Sequence, residues 1–312
     1  MRRDDEGTRS TSGTATISRR GLLAGAAGAG ALAMAGCADD AFDGMGIHAA
    51  RVSQVRADDP DDPSWTAGPV RRVDLGPQDM ALPNKLSPSI TWVDVRAVHD
   101  GTNLGFLLTW DDPDASDLTI AVEQFRDACA VLLAPGVDQS TLRAMGSGTT
   151  PATLLQWKAD WQRDNDKGLQ DLGDEYPNRS IDVYPPLWDV APLDVSVQSY
   201  IDHDAVAWLP GINAGNPVSP SAPKGPVEKL IAYGFGTSKT SATQNATGRG
   251  VRTSTGWKVA VSRPMAATDD GELSVSPAST FTTAFAVWSG GVRDAGSRKQ
   301  PSIEVHTVSL AP

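Results

Sequence analysis

The sequence predicts a mainly β protein: an antiparallel two-sheet β-sandwich with one short helix and long loops. Three observations carry this. Apolar and polar residues alternate with period two in several separate stretches. The 312 residues include 30 Gly and 22 Pro, the punctuation of a chain that turns often. Nine Trp and 40% apolar content supply a core, while charged residues make up only 21%.

The first strand pair is the clearest. Over residues 90–98, Val93, Val95 and Ala97 share one face and Asp94 and Arg96 the other. His99-Asp100-Gly101-Thr102 supplies turn chemistry, and over residues 103–110 Leu104, Phe106, Leu108 and Trp110 again fall on one face, so a β-hairpin is expected. Cys129 lies in an apolar strand over residues 127–133, where a lone thiol is packing rather than chemistry. One helix is expected after Thr150, with Thr150 as cap, Pro151 at the first helical position, and Leu154, Trp157 and Trp161 at i, i+3 and i+7. Before it runs a glycine-flexed loop, residues 142–148, that holds one methionine, Met145. Residues 164–226 are rich in Pro and Asp and form a long connection. Alternation returns with Trp257, Val259 and Val261, with Phe281, Phe285 and Val287, and with Ile303, Val305 and Thr307; two sheets packed face to face would bury these sets.

Residues 1–36 are expected to be a signal peptide of the twin-arginine type. Ser18-Arg19-Arg20-Gly21-Leu22-Leu23 sets an arginine pair before an apolar run ending at Ala35, which is short of the ~20 residues that span a bilayer. Met34-Ala35-Gly36-Cys37 is similar to a lipobox, which makes Cys37 the lipidation site and the first mature residue; a plain signal peptide with an incidental Cys is the alternative. Residues 37–68 are expected to be a flexible tether and residues 69–312 the folded domain. This address places the chain on the outer face of the cytoplasmic membrane or in the periplasm. With cysteine so scarce, no disulfide is expected in the mature monomer. The net charge is −11, and losing residues 1–36 removes five basic and three acidic side chains to leave −13. Such a surface repels nucleic acid and suits either a basic partner or a salty medium.

Several chemistries are absent from the sequence. There is no Cys-x-x-Cys-His, no cysteine cluster for iron and sulfur, no phosphate-binding glycine loop and no Gly-x-Ser-x-Gly. The four His (His48, His99, His203, His306) are dispersed without zinc spacing. Nothing in these residues recommends a hydrolase triad, although a single sequence leaves one open, and no catalytic residues are singled out.

Residues 93–112, Val-Asp-Val-Arg-Ala-Val-His-Asp-Gly-Thr-Asn-Leu-Gly-Phe-Leu-Leu-Thr-Trp-Asp-Asp, resemble the opening hairpin of the haem b-binding (gamma) subunits of ethylbenzene dehydrogenase and its relatives. That group serves the type II branch of the dimethyl-sulfoxide-reductase-like molybdoenzymes, among them dimethylsulfide dehydrogenase and the chlorate and selenate reductases. Further segments match in order: Phe125-Arg126-Asp127-Ala128-Cys129-Ala130-Val131; Ala144-Met145-Gly146 with Gln156-Trp157-Lys158-Ala159; Tyr233-Gly234-Phe235-Gly236-Thr237 with Gly256-Trp257-Lys258-Val259 and Arg263; and Ala286-Val287-Trp288-Ser289-Gly290 with Arg293 and Lys299. The resemblance covers residues 70–310.

It implies a non-covalent haem b whose iron is ligated by a Met thioether and a Lys amine, which fall here on Met145 and Lys299. Asp294 to Arg298 separate Arg293 from Lys299, more than the family's short Arg-x-x-Lys spacing. His306 is the rival to Lys299, since Met/His pairs are common in cytochromes; its side chain is expected opposite Val305 and Thr307 and away from the inward face. Trp157 is expected as core or haem-edge packing, and so placed near the cofactor. The implied partners are a molybdopterin catalytic subunit, an iron–sulfur subunit, a cytochrome or other electron carrier, and the membrane through the lipid anchor. A reading from another class is a carbohydrate-binding sandwich module without haem, with Trp92, Trp188 and Trp208 as stacking platforms.

Overall fold

The computed structural model describes residues 46–136, 138–180, 183–192, 196–216, 225–277 and 279–312. The twin-arginine segment, the lipobox and Cys37 lie outside the described residues. The chain is mainly β, as expected. Its strands are β1 (Ile47–Arg51), β2 (Arg71–Asp74), β3 (Trp92–His99), β4 (Asn103–Asp111), β5 (Ala128–Pro135), β6 (Ala152–Lys158), β7 (Val227–Ala232), β8 (Lys239–Thr240), β9 (Thr247–Arg252), β10 (Gly256–Pro264), β11 (Phe281–Trp288), β12 (Gln300–Pro301) and β13 (His306–Leu310).

Among the described residues these strands form one hydrogen-bonded path, β8-β7-β6-β5-β11-β13-β1-β3-β4-β10-β9, with β12 beside β11 and β2 beside β3. The two halves of the path pack face to face, and the apolar core lies between them. Phe106 of β4 meets Phe285 of β11 edge to face at 6.2 Å, and Trp157 of β6 packs on Trp110 at 6.4 Å and on Trp257 of β10 at 5.0 Å. Every residue of the expected inward sets from Val93 to Trp110 is buried in this core, and Asp100 caps the β3–β4 turn by accepting from the Thr102 and Asn103 amides.

Three expectations are corrected. The sheet is mixed rather than antiparallel throughout, because β1 pairs in parallel with both β13 and β3. The stretch read as a tether therefore contributes a central strand, and Trp65 in a 3-10 turn at Pro63–Ala67 is buried; its many Asp and Pro belong to turns, not to a solvated linker. The helix expected after Thr150 is strand β6, and the helix, α2 (Ala159–Lys167), begins only after it; the short α1 (Gln139–Arg143) precedes both. A strand covered on both faces reads as a continuous apolar run, and periodicity alone cannot separate it from a buried helix. Between α2 and β7 the described residues form short helical turns around a small cluster of Leu187, Tyr200 and Ala205.

Candidate cofactor site

The strands of one half are two-faced. On β5, Cys129, Val131 and Leu133 point into the core, while Ala130 and Leu132 point the other way. On β11 the outward set is Ala284, Ala286 and Trp288; on β6 it is Leu154 and Gln156; on β7 it is Leu230. Register aligns them in rows: Ala284, Leu132, Leu154 and Leu230 lie side by side across four strands, as do Ala286, Ala130 and Gln156 across three. These rows floor a cavity of about 590 Å³, roofed by residues 77–82, 142–145, 235–238 and 296–302. Its size and its apolar floor suit a cofactor.

Met145 enters this cavity from the end of α1. The Met145 amide donates to the Leu142 carbonyl at 2.9 Å and the Gly146 amide to Thr141 at 3.0 Å, the paired bonds of a Schellman motif. In that motif the left-handed position normally belongs to glycine. Here it is Met145, at φ 65, followed by Gly146 at φ 88. Gly146 is obligatory, since a Cβ would lie 2.9 Å from the backbone atoms of Thr150, Ala152 and Ala232. Met145 is not: glycine would fit its backbone better, so the side chain is what the position retains.

Lys299 comes from the opposite wall, on the loop between Arg293 and β12. Buried Asp294 anchors that loop, accepting from Lys85 Nζ and Gln300 Nε2, each at 2.6 Å, and from the Ser289 amide at 3.1 Å. Trp288 Nε1 donates to the Gly296 carbonyl at 3.0 Å, and Gln78 Nε2 to the Ser297 carbonyl at 2.9 Å. The extra residues between Arg293 and Lys299 are thus taken up by a tied-down turn.

The outcome is that Lys299 Nζ donates to Met145 Sδ at 3.6 Å, joining residues 154 positions apart. Burial pushes the Lys299 amine down from 10.5 to about 8. A neutral thioether faces an amine that sheds its proton readily. Among the described residues no group of three or more His, Cys, Asp or Glu could hold a metal ion, so a Met–Lys pair is a different kind of donor set.

The other candidate residues fall elsewhere. His306 does lie opposite Thr307 along β13, but it is on the inward side: it is buried, its ring stands 6.3 Å from that of Phe285, and it borders a separate small cleft with Arg71, Arg72 and Asp74. Strand β13 begins at His306, so the face that Val305 and Thr307 were expected to set is reversed. Trp157 is buried in the central core on the face of β6 away from the cavity, because it belongs to a strand in which Leu154 and Gln156 face the cavity. Trp161 carries Lys158 Nζ 3.9 Å above its ring. Of the proposed stacking platforms, Trp92 is covered by the Arg72 guanidinium at 4.0 Å and Trp208 packs on Tyr184 at 5.1 Å, while Trp188 is exposed. Sequence reasoning missed Gln78, Lys85 and Asp294, whose roles rest on contacts across more than 200 positions.

Fold and site together define a β-sheet protein with a cofactor-sized cavity on the outer face of one sheet and a thioether and an amine meeting within it. The ethylbenzene dehydrogenase family model matches residues 62–300, and the chain belongs to that family. A relative from Haloferax mediterranei, described as a respiratory nitrate reductase heme subunit, is 28% identical over 113 residues, which cover 35% of this chain and 41% of that protein. The match therefore spans less than half of the relative's length. Among solved structures, two of a family 9 carbohydrate binding module from Caldicellulosiruptor kristjanssonii, with glucose and with cellotriose, overlap 85% of this chain and 95% and 92% of their own; TM-scores are 0.34 and 0.32 and identities 11% and 12%. Likenesses that faint carry no weight for function.

Proposed function

We propose that the chain is a haem b electron-transfer subunit of a molybdenum oxidoreductase complex, in which Met145 and Lys299 would hold the iron. The observation that carries this is the meeting of Met145 Sδ and Lys299 Nζ inside the apolar cavity. Family membership and the heme-subunit description of the Haloferax relative support it. Haem b, when bound, supplies a one-electron couple. The chain's own residues set its terms: the soft thioether of Met145 favours ferrous iron and raises the potential, and Lys299 offers a neutral amine at modest alkalinity. Held by Met145 and Lys299, the group would supply electron transfer rather than chemistry on substrate or oxygen. Turnover then belongs to a molybdopterin subunit, with an iron–sulfur subunit between it and this relay, and a cytochrome or other carrier takes the electrons onward.

The address at the N-terminus completes the reading: export by the twin-arginine route and lipid attachment at Cys37 would hold the relay at the outer face of the membrane. Cys37→Ser should release the chain from membranes, and unchanged retention would count against the anchor. The function itself is tested by gentle extraction from the native host. A Soret-absorbing chain that co-migrates with a molybdenum subunit is expected. A colourless, solitary chain that does not saturate with added hemin would refute it.

A further inference from the structure

We infer that Arg143 is the anion receptor of the cavity, the residue that takes the carboxylate side chains of the macrocycle and so fixes which way round it binds. This rests on the haem reading above and deepens it.

The cavity has a sharp division of charge. Its floor, built by β5, β6, β7 and β11, is Ala130, Leu132, Leu154, Leu230, Ala284 and Ala286 with Gln156, and brings no ionisable group. Three ionisable residues line it, and all come from the roof: Asp79, Arg143 and Lys299. Haem b carries two carboxylates, which are costly to bury without a partner. Lys299 is engaged otherwise, because its amine faces the Met145 thioether at 3.6 Å. Asp79 has the wrong sign. Arg143 remains.

Its placement fits the task. Arg143 is the last residue of α1 and stands two positions before Met145, within the Schellman turn that aims the thioether. One rigid turn therefore sets the spacing between the iron donor and the carboxylate receptor. The guanidinium is not committed elsewhere among the described residues: its ion pair with Asp79 is long, at 3.7 Å, and both side chains are well exposed, at 36% and 59%. A guanidinium offers five donors in a planar fork, so a carboxylate can be taken in bidentate fashion at the rim while the apolar edge of the ring lies on the sheet. Asp79 then acts as a rival acid for the same guanidinium, and removing it should help rather than harm.

The experiment compares hemin with its dimethyl ester, which lacks the two charges, in the full chain and in Arg143→Gln, Arg143→Lys and Asp79→Asn. Release is followed at the Soret band as the pigment transfers to excess apomyoglobin. For hemin, Arg143→Gln should speed release about tenfold, Arg143→Lys should recover part of that, and Asp79→Asn should slow release a few-fold. For the ester, the original chain and Arg143→Gln should release alike. The low-spin spectrum should be the same in all four, since Met145 and Lys299 are untouched. Equal hemin release from Arg143→Gln and the original chain would overturn the inference, as would an equal acceleration with the ester, which would mark a structural role. If the original chain takes up neither pigment, the haem reading fails and this inference with it; if it takes up both without the contrast, this inference alone fails.

Discussion

At position 145 the backbone adopts a conformation that suits glycine, and the chain places methionine there. Truncation separates the cost from the benefit. Met145→Gly and Met145→Ala both remove the thioether, so both should lose low-spin haem; the Gly variant should melt with about 1 kcal/mol more stability than the Ala variant, because only Ala still carries a Cβ in the left-handed region. Equal stability in thermal melts would remove the strain argument. Lys299 should betray itself through pH. Its folded value of about 8 lies below its ordinary 10.5, so between those pH values the unfolded chain holds a proton that the folded chain has lost. Stability should therefore rise with pH across that window and stay at its lower level beneath it, and Lys299→Leu should flatten the slope; urea melts of the haem-free chain at pH 7.5 and 10 check this. At this scale the sequence was partly legible. Met145 and Lys299 were both singled out through resemblance in local motifs, but their contact spans 154 positions, which no local pattern encodes. His306 was assigned the wrong face because one residue of register reverses every side chain of a strand.

Strand β6 shows what periodicity misses. Leu154 and Trp157 are spaced as neighbours on a helix, yet on the strand they face opposite ways, one to the cavity and one to the core. Their substitutions should part accordingly. Trp157→Ala should cost about 3–5 kcal/mol in unfolding by denaturant, since it removes the ring that packs on both Trp110 and Trp257. Leu154→Trp should leave the fold standing and block haem uptake by filling the floor. Matching losses of stability in the two variants would support the helix instead. The β3–β4 hairpin, by contrast, was plain from Val93, Val95 and Ala97 alternating with Asp94 and Arg96, and from the local turn at Asp100-Gly101. Strand β3 shows its period through those polar residues, while β5 and β6, nearly continuous apolar runs, do not.

Across the whole molecule the sheet depends on a strand that composition disguised as a tether. β1 joins β13 to β3 and so links the two halves of the hydrogen-bonded path, yet it is only five residues long and is followed by an Asp- and Pro-rich stretch. A chain beginning at residue 46 should fold cooperatively, whereas one beginning at residue 69 should lose the central pairing and fail to give a sharp melt; a normal melt for the shorter chain would show β1 to be dispensable. The mainly β class was legible because it needs only alternation and turns. The parallel pairings were not, because they join distant parts of the chain, Ile47 to Val308. This architecture brings a thioether and an amine together over an apolar sheet face. The most direct measurement is the low-temperature magnetic and optical spectrum of the haem-loaded chain, taken beside Met145→Gly, Lys299→Leu and His306→Ala. Low-spin, six-coordinate iron with a thioether charge-transfer band is expected, lost with Met145, altered to an open axial position with Lys299, and unchanged with His306. A low-spin spectrum that survives in Lys299→Leu and disappears in His306→Ala would contradict ligation by Met145 and Lys299.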